Sequence, residues 1–297
     1  MKKISNILKE IVIRTFLGID YISGKKVGIP ALLYHRVLES DIESPVACVT
    51  KEMFKKQMKY LKNSGYHSIS IEELVSYLKT GKGSCEKAVI ITFDDGFEDN
   101  YDAIKIAGQY GFTAVLFVST GFCGKEYDHI PYIGEKTEEE FERSIKQNVY
   151  PRISYLGIQE LQALSAIGTE VYPHTVHHRQ LASASFADQK LEILEAHNFL
   201  KSNIQQDFDC FAYPYGMYNE NTIECLKEIG YKCAFQVSDG LNKVGDDLFR
   251  LKRHNVGNTQ SMAYFKLLLT NQYYYYKKAA SLFRRRENDN TKRSLAP

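Results

Sequence analysis

Short strand-like segments alternate with helical ones along most of the chain, and this alternation constrains the fold most. The strand candidates are residues 31–35, 88–93, 113–119, a short run into Pro173, 210–213, 231–237 and 251–256. The helical patterns between them cover residues 50–64, 70–81, 98–110, 157–167, 184–203, 218–229 and 259–276. Because parallel strands need a crossover helix, the pattern predicts a mostly parallel α/β sheet with helices outside it. About seven βα units favour a distorted (β/α)7-type barrel, whose chemistry would lie at the carboxyl ends of the strands.

Charge is distributed unevenly along the chain, although its 297 residues have an ordinary composition with 44% hydrophobic residues. The net charge is +2, but residues 1–30 carry +4 and residues 277–297 carry +5, which leaves about −7 between them. An acidic middle argues against a nucleic-acid-binding protein. The basic ends are either solvated tails or sites of contact with anionic lipid. Six cysteines without a CxxC pair indicate reduced thiols and a cytoplasmic location.

The first residues, MKKISNILKEIVIRTFLGID, combine basic and apolar side chains. Charged residues interrupt the apolar run and no small-residue cleavage site follows, so we predict an amphipathic helix rather than a signal peptide. Its apolar face is expected to dock on the domain or to lie on a membrane, and it consists of Ile4, Ile7, Leu8, Ile11 and Val12. We therefore expect a cytoplasmic protein, peripheral to the inner membrane.

A buried-looking strand ends in two adjacent carboxylates, in the stretch VIITFDDG at residues 89–96. Asp and Gly are ordinary turn residues, which is the simplest interpretation. A strand end is also where such a barrel places its catalytic groups. Asp94 and Asp95 are therefore candidate active-site residues, with a turn at Gly96 that re-aims one of the two carboxylates.

Two further motifs follow strand candidates. In HTVHH, His174 and His178 are four residues apart and could bind one metal ion, although stray surface histidines have the same spacing. Together with Asp95 they would form a two-histidine, one-carboxylate metal site. In FAYPYG, a rigid turn could present the backbone N–H of Tyr215 to an oxyanion, or it could be a simple β-turn.

The ordered set TFDDG, HTVHH and FAYPYG resembles the polysaccharide deacetylase family over residues 31–256, most of the chain. LLYHRV at residues 32–37 resembles the exopolysaccharide-associated branch of that family. The resemblance implies a hydrolase that removes N-acetyl or O-acetyl groups from an acetylated glycan. It implies an N-terminal helix and linker in residues 1–30, a catalytic domain in residues 31–276 and a basic tail in residues 277–297.

The resemblance also implies roles for individual residues. Asp94 would be the general base, and Asp95, His174 and His178 would bind a divalent metal, expected to be zinc, with cobalt or nickel as alternatives. Tyr215 would supply an oxyanion N–H and contact substrate.

Two departures from the family pattern need other residues. Many members have an arginine where this chain has Ala212, so we expect Arg253 to pair with the base instead. The late histidine motif is incomplete, and His254 is the candidate general acid, with surface or packing histidine as the alternative. His35 is expected to line the substrate pocket, and His177 to face solvent.

Two other functions fit the same residues less well. One is a carbohydrate-binding pseudo-enzyme that keeps the fold. The other is a non-haem iron enzyme with two histidines and one carboxylate. The sequence leaves the glycan open.

Overall fold

The computed structural model describes residues 2–23, 28–40, 46–83, 86–127, 153–257 and 261–281. For residues 2–8 and 20–23 it describes the backbone alone. Residues 124–150, between the strand candidate 113–119 and the helical pattern 157–167, are typical in sequence of an insertion, a lid or an inert surface segment, and most of them lie outside the described residues.

Twelve strands occur in the described residues, and most of them are short. They are β1 (Ala31–Tyr34), β2 (Arg36–Leu38), β3 (Cys48–Thr50), β4 (His67–Ser68), β5 (Ala88–Phe93), β6 (Val115–Val118), β7 (Glu126–Tyr127), β8 (Ile153–Ser154), β9 (Glu170–Pro173), β10 (Cys210–Ala212), β11 (Cys233–Phe235) and β12 (His254–Asn255). The helices are α1 (Lys2–Ser23), α2 (Lys51–Asn63), α3 (Ile71–Thr80), α4 (Asp99–Gln109), α5 (Ile158–Ala166), α6 (Phe186–Asn203), α7 (Glu220–Ile229), α8 (Met262–Leu268) and α9 (272–281).

Seven of the strands form the predicted distorted barrel. Parallel pairing runs in the order β12, β1, β5, β6, β9, and a second parallel pair joins β10 to β11. β10 lies beside β9, and a parallel bridge from Phe235 to Leu251 leads from β11 back towards β12. The β-α alternation in the sequence therefore predicted the parallel pairing and the number of these strands, in an arrangement consistent with a distorted barrel.

The local signals explain why the helices lie where they do. Ser70 and Glu73 form a reciprocal capping box at the start of α3, and Gly81 ends that helix in a left-handed conformation. The helices α4, α6 and α7 lie between successive strands of the barrel, after β5, β9 and β10, as the crossover connections of a parallel sheet require. The predicted helix over residues 259–276 is wrong in one respect: a turn at residues 269–271 divides it into α8 and α9.

Two roles were expected for the apolar face of the N-terminal helix, docking on the domain or lying on a membrane. The structure contradicts docking for Ile11 and Val12, and the side chains of Ile4, Ile7 and Leu8 lie outside those that it describes. Ile13 is buried in the main core, with Phe16 and Leu17 packed beside it. Ile11 and Val12 point outward instead. Of the described helices, none is long and apolar enough to cross a bilayer.

Candidate active site

The polar residues singled out in the sequence follow neighbouring strands of the barrel. Asp94 and Asp95 follow β5, which is buried along its whole length. His174 follows β9, and the turn that carries Tyr215 follows β10. Because these strands are parallel in the ladders, their carboxyl ends open at the same edge of the barrel.

Asp95, His174 and His178 form a buried cluster with metal-binding geometry. One ligand atom from each lies within 4.8 Å of the others. His178 Nε2 is 3.3 Å and His174 Nε2 is 3.6 Å from Asp95 Oδ1. Within the described residues, neither carboxylate oxygen of Asp95 accepts a hydrogen bond of normal geometry, although both are buried. Two imidazole nitrogens and a carboxylate are a typical ligand set for a catalytic metal.

Backbone strain accompanies this cluster. Asp95, Thr175, His178 and Tyr215 have φ values of 76°, 66°, 53° and 58°, in the left-handed region that non-glycine residues rarely adopt. The turn that directs the Asp95 carboxylate away from that of Asp94 therefore begins at Asp95 itself and continues through Gly96, whose φ is 81°.

Hydrogen bonding and burial prepare His174 as a neutral ligand. Its Nδ1 lies 2.7 Å from the carbonyl oxygen of Ala212, which can only accept, so Nδ1–H donates and Nε2 keeps its lone pair for the cluster. Burial lowers the pKa of His174 to about 4. Burial alone would raise the pKa of Asp95, but the imidazoles of His178 and His35 hold that pKa below its ordinary value. A neutral His174 and an ionised Asp95 are the protonation states in which these side chains bind a metal.

Asp94 has a different partner from its neighbour. Arg253 Nη1 and Nη2 donate to its two carboxylate oxygens at 2.6 and 2.8 Å, in a bidentate pair that is almost completely buried. The guanidinium lies over the rings of Phe117 and Phe235, at 5.3 and 5.7 Å from their centroids. Arg253 therefore pairs with Asp94 as predicted. His174 Nε2 lies between the two aspartates, 3.8 Å from Asp94 Oδ2 and 3.6 Å from Asp95 Oδ1, but Asp94 alone is hydrogen-bonded to the arginine.

Glu192 anchors the histidine loop and was not identified from the sequence. One carboxylate oxygen of this α6 residue, Oε2, accepts hydrogen bonds from the backbone N–H groups of Val176 and His177 at 3.0 and 2.9 Å. Its other carboxylate oxygen lies 2.8 Å from Nδ1 of His177, whose side chain is 65% exposed. His177 thus faces solvent as expected and is held to the loop anchor, outside the metal cluster.

The Tyr215 turn closes the site on its solvent side. The Tyr215 side chain is 45% exposed, and its ring centroid is 4.6 Å from that of His178. The next residue, Gly216, has a φ of 69°, and a Cβ there would come within 2.5 Å of the backbone nitrogen of Val237. Only glycine therefore fits this turn, which fixes the backbone of Tyr215 beside the cluster.

His35 lies beside the strand that carries the two aspartates. It follows β1, whose last residue, Tyr34, pairs with Phe93 immediately before the two aspartates. Its buried Nδ1 has no hydrogen-bond partner among the described residues.

The structure does not bring His254 to this site, which corrects its predicted placement. Adjacent strand residues point to opposite sides, so Arg253 points inward and His254 points outward. His254 Nδ1 lies 3.2 Å from Asp239 Oδ1, and its ring packs edge-on against Tyr273 at 4.6 Å. Its surroundings are those of a packing histidine.

Comparison with known proteins agrees with the fold and the motifs. Residues 81–234 match the protein family described as polysaccharide deacetylase. YxkH of Bacillus subtilis (strain 168), itself named only provisionally as a polysaccharide deacetylase, is 25% identical over 242 residues, covering 81% of this chain and 76% of that protein.

A relative with a defined substrate and a solved structure are also similar. Poly-beta-1,6-N-acetyl-D-glucosamine N-deacetylase of Staphylococcus aureus (strain MSSA476) is 26% identical over 229 residues, covering 70% of this chain and 72% of that protein. The Streptococcus pyogenes deacetylase PplD superposes with a TM-score of 0.66 at 24% identity, over 82% of this chain and 99% of that structure. The structural similarity to PplD establishes the barrel fold.

Proposed function

The chain belongs to the polysaccharide deacetylase family, and we propose that it hydrolyses N-acetyl groups of an N-acetylglucosamine polysaccharide. One observation carries the proposal: Asp94 is hydrogen-bonded to a buried arginine, whereas the adjacent Asp95 forms a cluster of possible metal ligands with two histidines. That division separates a proton acceptor from a metal ligand, as metal-assisted hydrolysis of an amide requires. Relatives named as poly-beta-1,6-N-acetyl-D-glucosamine N-deacetylases support the choice of substrate.

The ligand residues fit a divalent metal. The buried carboxylate oxygens of Asp95 lack hydrogen-bond donors of normal geometry in the described part of the chain, and His174 is held in the tautomer that leaves Nε2 available. Zinc, cobalt and nickel all suit this donor set, and zinc is our first expectation. When bound, the metal would polarise the acetyl carbonyl and acidify a water molecule.

Asp94 is the proposed general base. Its carboxylate accepts the proton of the water that attacks the acetyl carbonyl carbon. Arg253 acts as a positioning residue because its two N–H groups hold both oxygens of that carboxylate in one orientation. The Tyr215 N–H is proposed to stabilise the oxyanion that develops on the carbonyl oxygen.

His35 is the proposed general acid, in place of His254. Cleavage of the C–N bond leaves an amine that must gain a proton. His35 follows β1, the strand that pairs with β5, and acts on the pKa of Asp95, whereas the His254 ring packs against Tyr273 on the opposite side of its strand. His35 would donate its proton to the departing nitrogen.

Acetate release from N-acetylglucosamine oligomers tests the proposal. The wild-type protein should release acetate and lose that activity on metal chelation. Asp94→Asn should lower the rate by about 10²–10⁴ while keeping metal bound. Asp188→Asn, a matched change on the exposed surface of α6, should leave both unchanged.

Three outcomes would overturn the proposal. Metal binding and glycan binding without acetate release would identify a pseudo-enzyme. Activity that needs ferrous iron and consumes oxygen would identify an oxygenase. Faster release from an O-acetylated glycan than from its N-acetylated counterpart would replace the amide by an ester as substrate.

A further inference from the structure

α1 carries apolar side chains on two opposite faces. Its inner face packs on the barrel through Ile13, with Phe16 and Leu17 beside it. The opposite face exposes Ile11 and Ile19, which are 54% and 44% accessible. A helix that only covered the barrel would need one apolar face, so the outer face is unexplained by the fold.

α9 repeats this arrangement beside α1. Tyr273 and Tyr276 are buried, whereas Tyr274 and Tyr275 are 66% and 55% exposed. The two helices are in contact, since the rings of Phe16 and Tyr276 lie 6.1 Å apart. Both helices also contact the same core. We call the outward-facing residues of these two neighbouring helices, taken together, the α1–α9 surface.

Exposed basic residues occur on both helices of the α1–α9 surface. Arg14 and Lys277 are 71% and 52% exposed and each has one acidic partner, while Lys278 is exposed. In the sequence, residues 1–30 carry +4 and residues 277–297 carry +5, and the remainder is acidic. Positive charge is thus concentrated on the two segments that present exposed isoleucine and tyrosine side chains.

We propose that the α1–α9 surface binds a membrane containing anionic phospholipid, with both helices parallel to the bilayer plane. Aliphatic side chains would enter the interface, tyrosines would lie at headgroup depth, and basic residues would meet lipid phosphates. The same charge disfavours a second copy of the chain as occupant, because two such surfaces would repel each other. This docking would bring the chain to the bilayer without a membrane span.

Vesicle co-sedimentation of the full chain tests the proposal. We expect binding to phosphatidylcholine–phosphatidylglycerol vesicles, weaker binding to phosphatidylcholine alone, and loss of the difference at high salt, which screens charge. The paired changes Ile11→Gln with Ile19→Gln, or Tyr274→Gln with Tyr275→Gln, should each lower the partition coefficient by about tenfold or more.

Matched changes on another helix test whether vesicle binding needs the α1–α9 surface or any exposed apolar side chain. Leu191→Gln with Leu194→Gln alters two exposed leucines of α6 and should leave vesicle binding unchanged. Circular dichroism checks that each variant is folded. Equal binding by wild type and the α1 and α9 variants would overturn the proposal, as would no binding to anionic vesicles. Light scattering that showed a vesicle-free dimer, abolished by the same variants, would replace the membrane by a second copy. None of these readouts depends on acetate release.

Discussion

Replacement of Arg253 by methionine tests whether one buried pair serves both stability and catalysis. The arginine is completely buried and makes two charge-assisted hydrogen bonds to Asp94. Methionine can fill much of the space between Phe117 and Phe235, so the loss is mainly that of the charge and its hydrogen bonds. Removing one member of a buried ion pair leaves the other uncompensated, which costs about 3–5 kcal/mol.

A double-mutant cycle isolates the interaction free energy between Arg253 and Asp94. Asp94→Asn alone leaves the guanidinium without its carboxylate, and the combined Arg253→Met and Asp94→Asn variant removes both charges. We expect the double variant to be more stable than the sum of the single losses predicts, with a coupling free energy of at least about 2 kcal/mol. Urea unfolding followed by circular dichroism measures all four proteins.

Kinetic measurements show whether Arg253 also positions the Asp94 carboxylate for catalysis or only stabilises the fold. At a temperature where every variant is folded, Arg253→Met should lower kcat for acetate release by at least about tenfold with little change in KM, because the base contributes about 10²–10⁴. Arg253→Lys keeps the charge but lacks the planar fork, so it should restore part of kcat. A coupling free energy near zero, or wild-type kcat in folded Arg253→Met, would refute the reasoning.

Three further predictions concern single residues. Gly216→Ala should destabilise the protein by about 1–3 kcal/mol and lower kcat, since its Cβ would collide with the backbone of Val237; thermal unfolding should show a smaller loss for Gly111→Ala, where no atom lies within 4 Å. Glu192→Gln should weaken metal affinity by about tenfold in a chelator competition, because it loosens the loop that carries two ligands; unchanged affinity would contradict this role. Burial raises the pKa of the Cys123 thiol to about 12, so alkylation followed by mass spectrometry at pH 8 should be at least about a hundredfold slower than in urea, and equal rates would contradict a raised thiol pKa in the folded protein.

The strand-end motifs were predictable because their chemistry is local in sequence. TFDDG and HTVHH each place their polar residues directly after an apolar strand, so the fold class alone puts them at one edge. His254, next to the correctly predicted Arg253, shows where this reasoning fails. Which of two adjacent residues points inward depends on the phase of the strand, and a ladder as short as β12 leaves no alternating pattern from which to read it.

Other features could not be read from sequence for different physical reasons. Glu192 is in the middle of a long helix and acts on a loop that precedes it, so no motif spacing marks it. In α1, apolar residues occur on more than one side of the helix, and periodicity could not tell Ile11, which is exposed, from Ile13, which is buried. Tertiary contacts with α8 and α9 decided the orientation.

The left-handed residues of the active site are points of local frustration, where backbone preference opposes the global fold. Each of the four costs on the order of 1 kcal/mol relative to a relaxed conformation. Selection for stability alone would therefore alter the active site early: Thr175→Gly removes the steric penalty, and glycine at position 95 would do so while discarding a metal ligand. Improving this protein's stability without a screen for activity should lead away from function, because the strained residues and the ligands are partly the same.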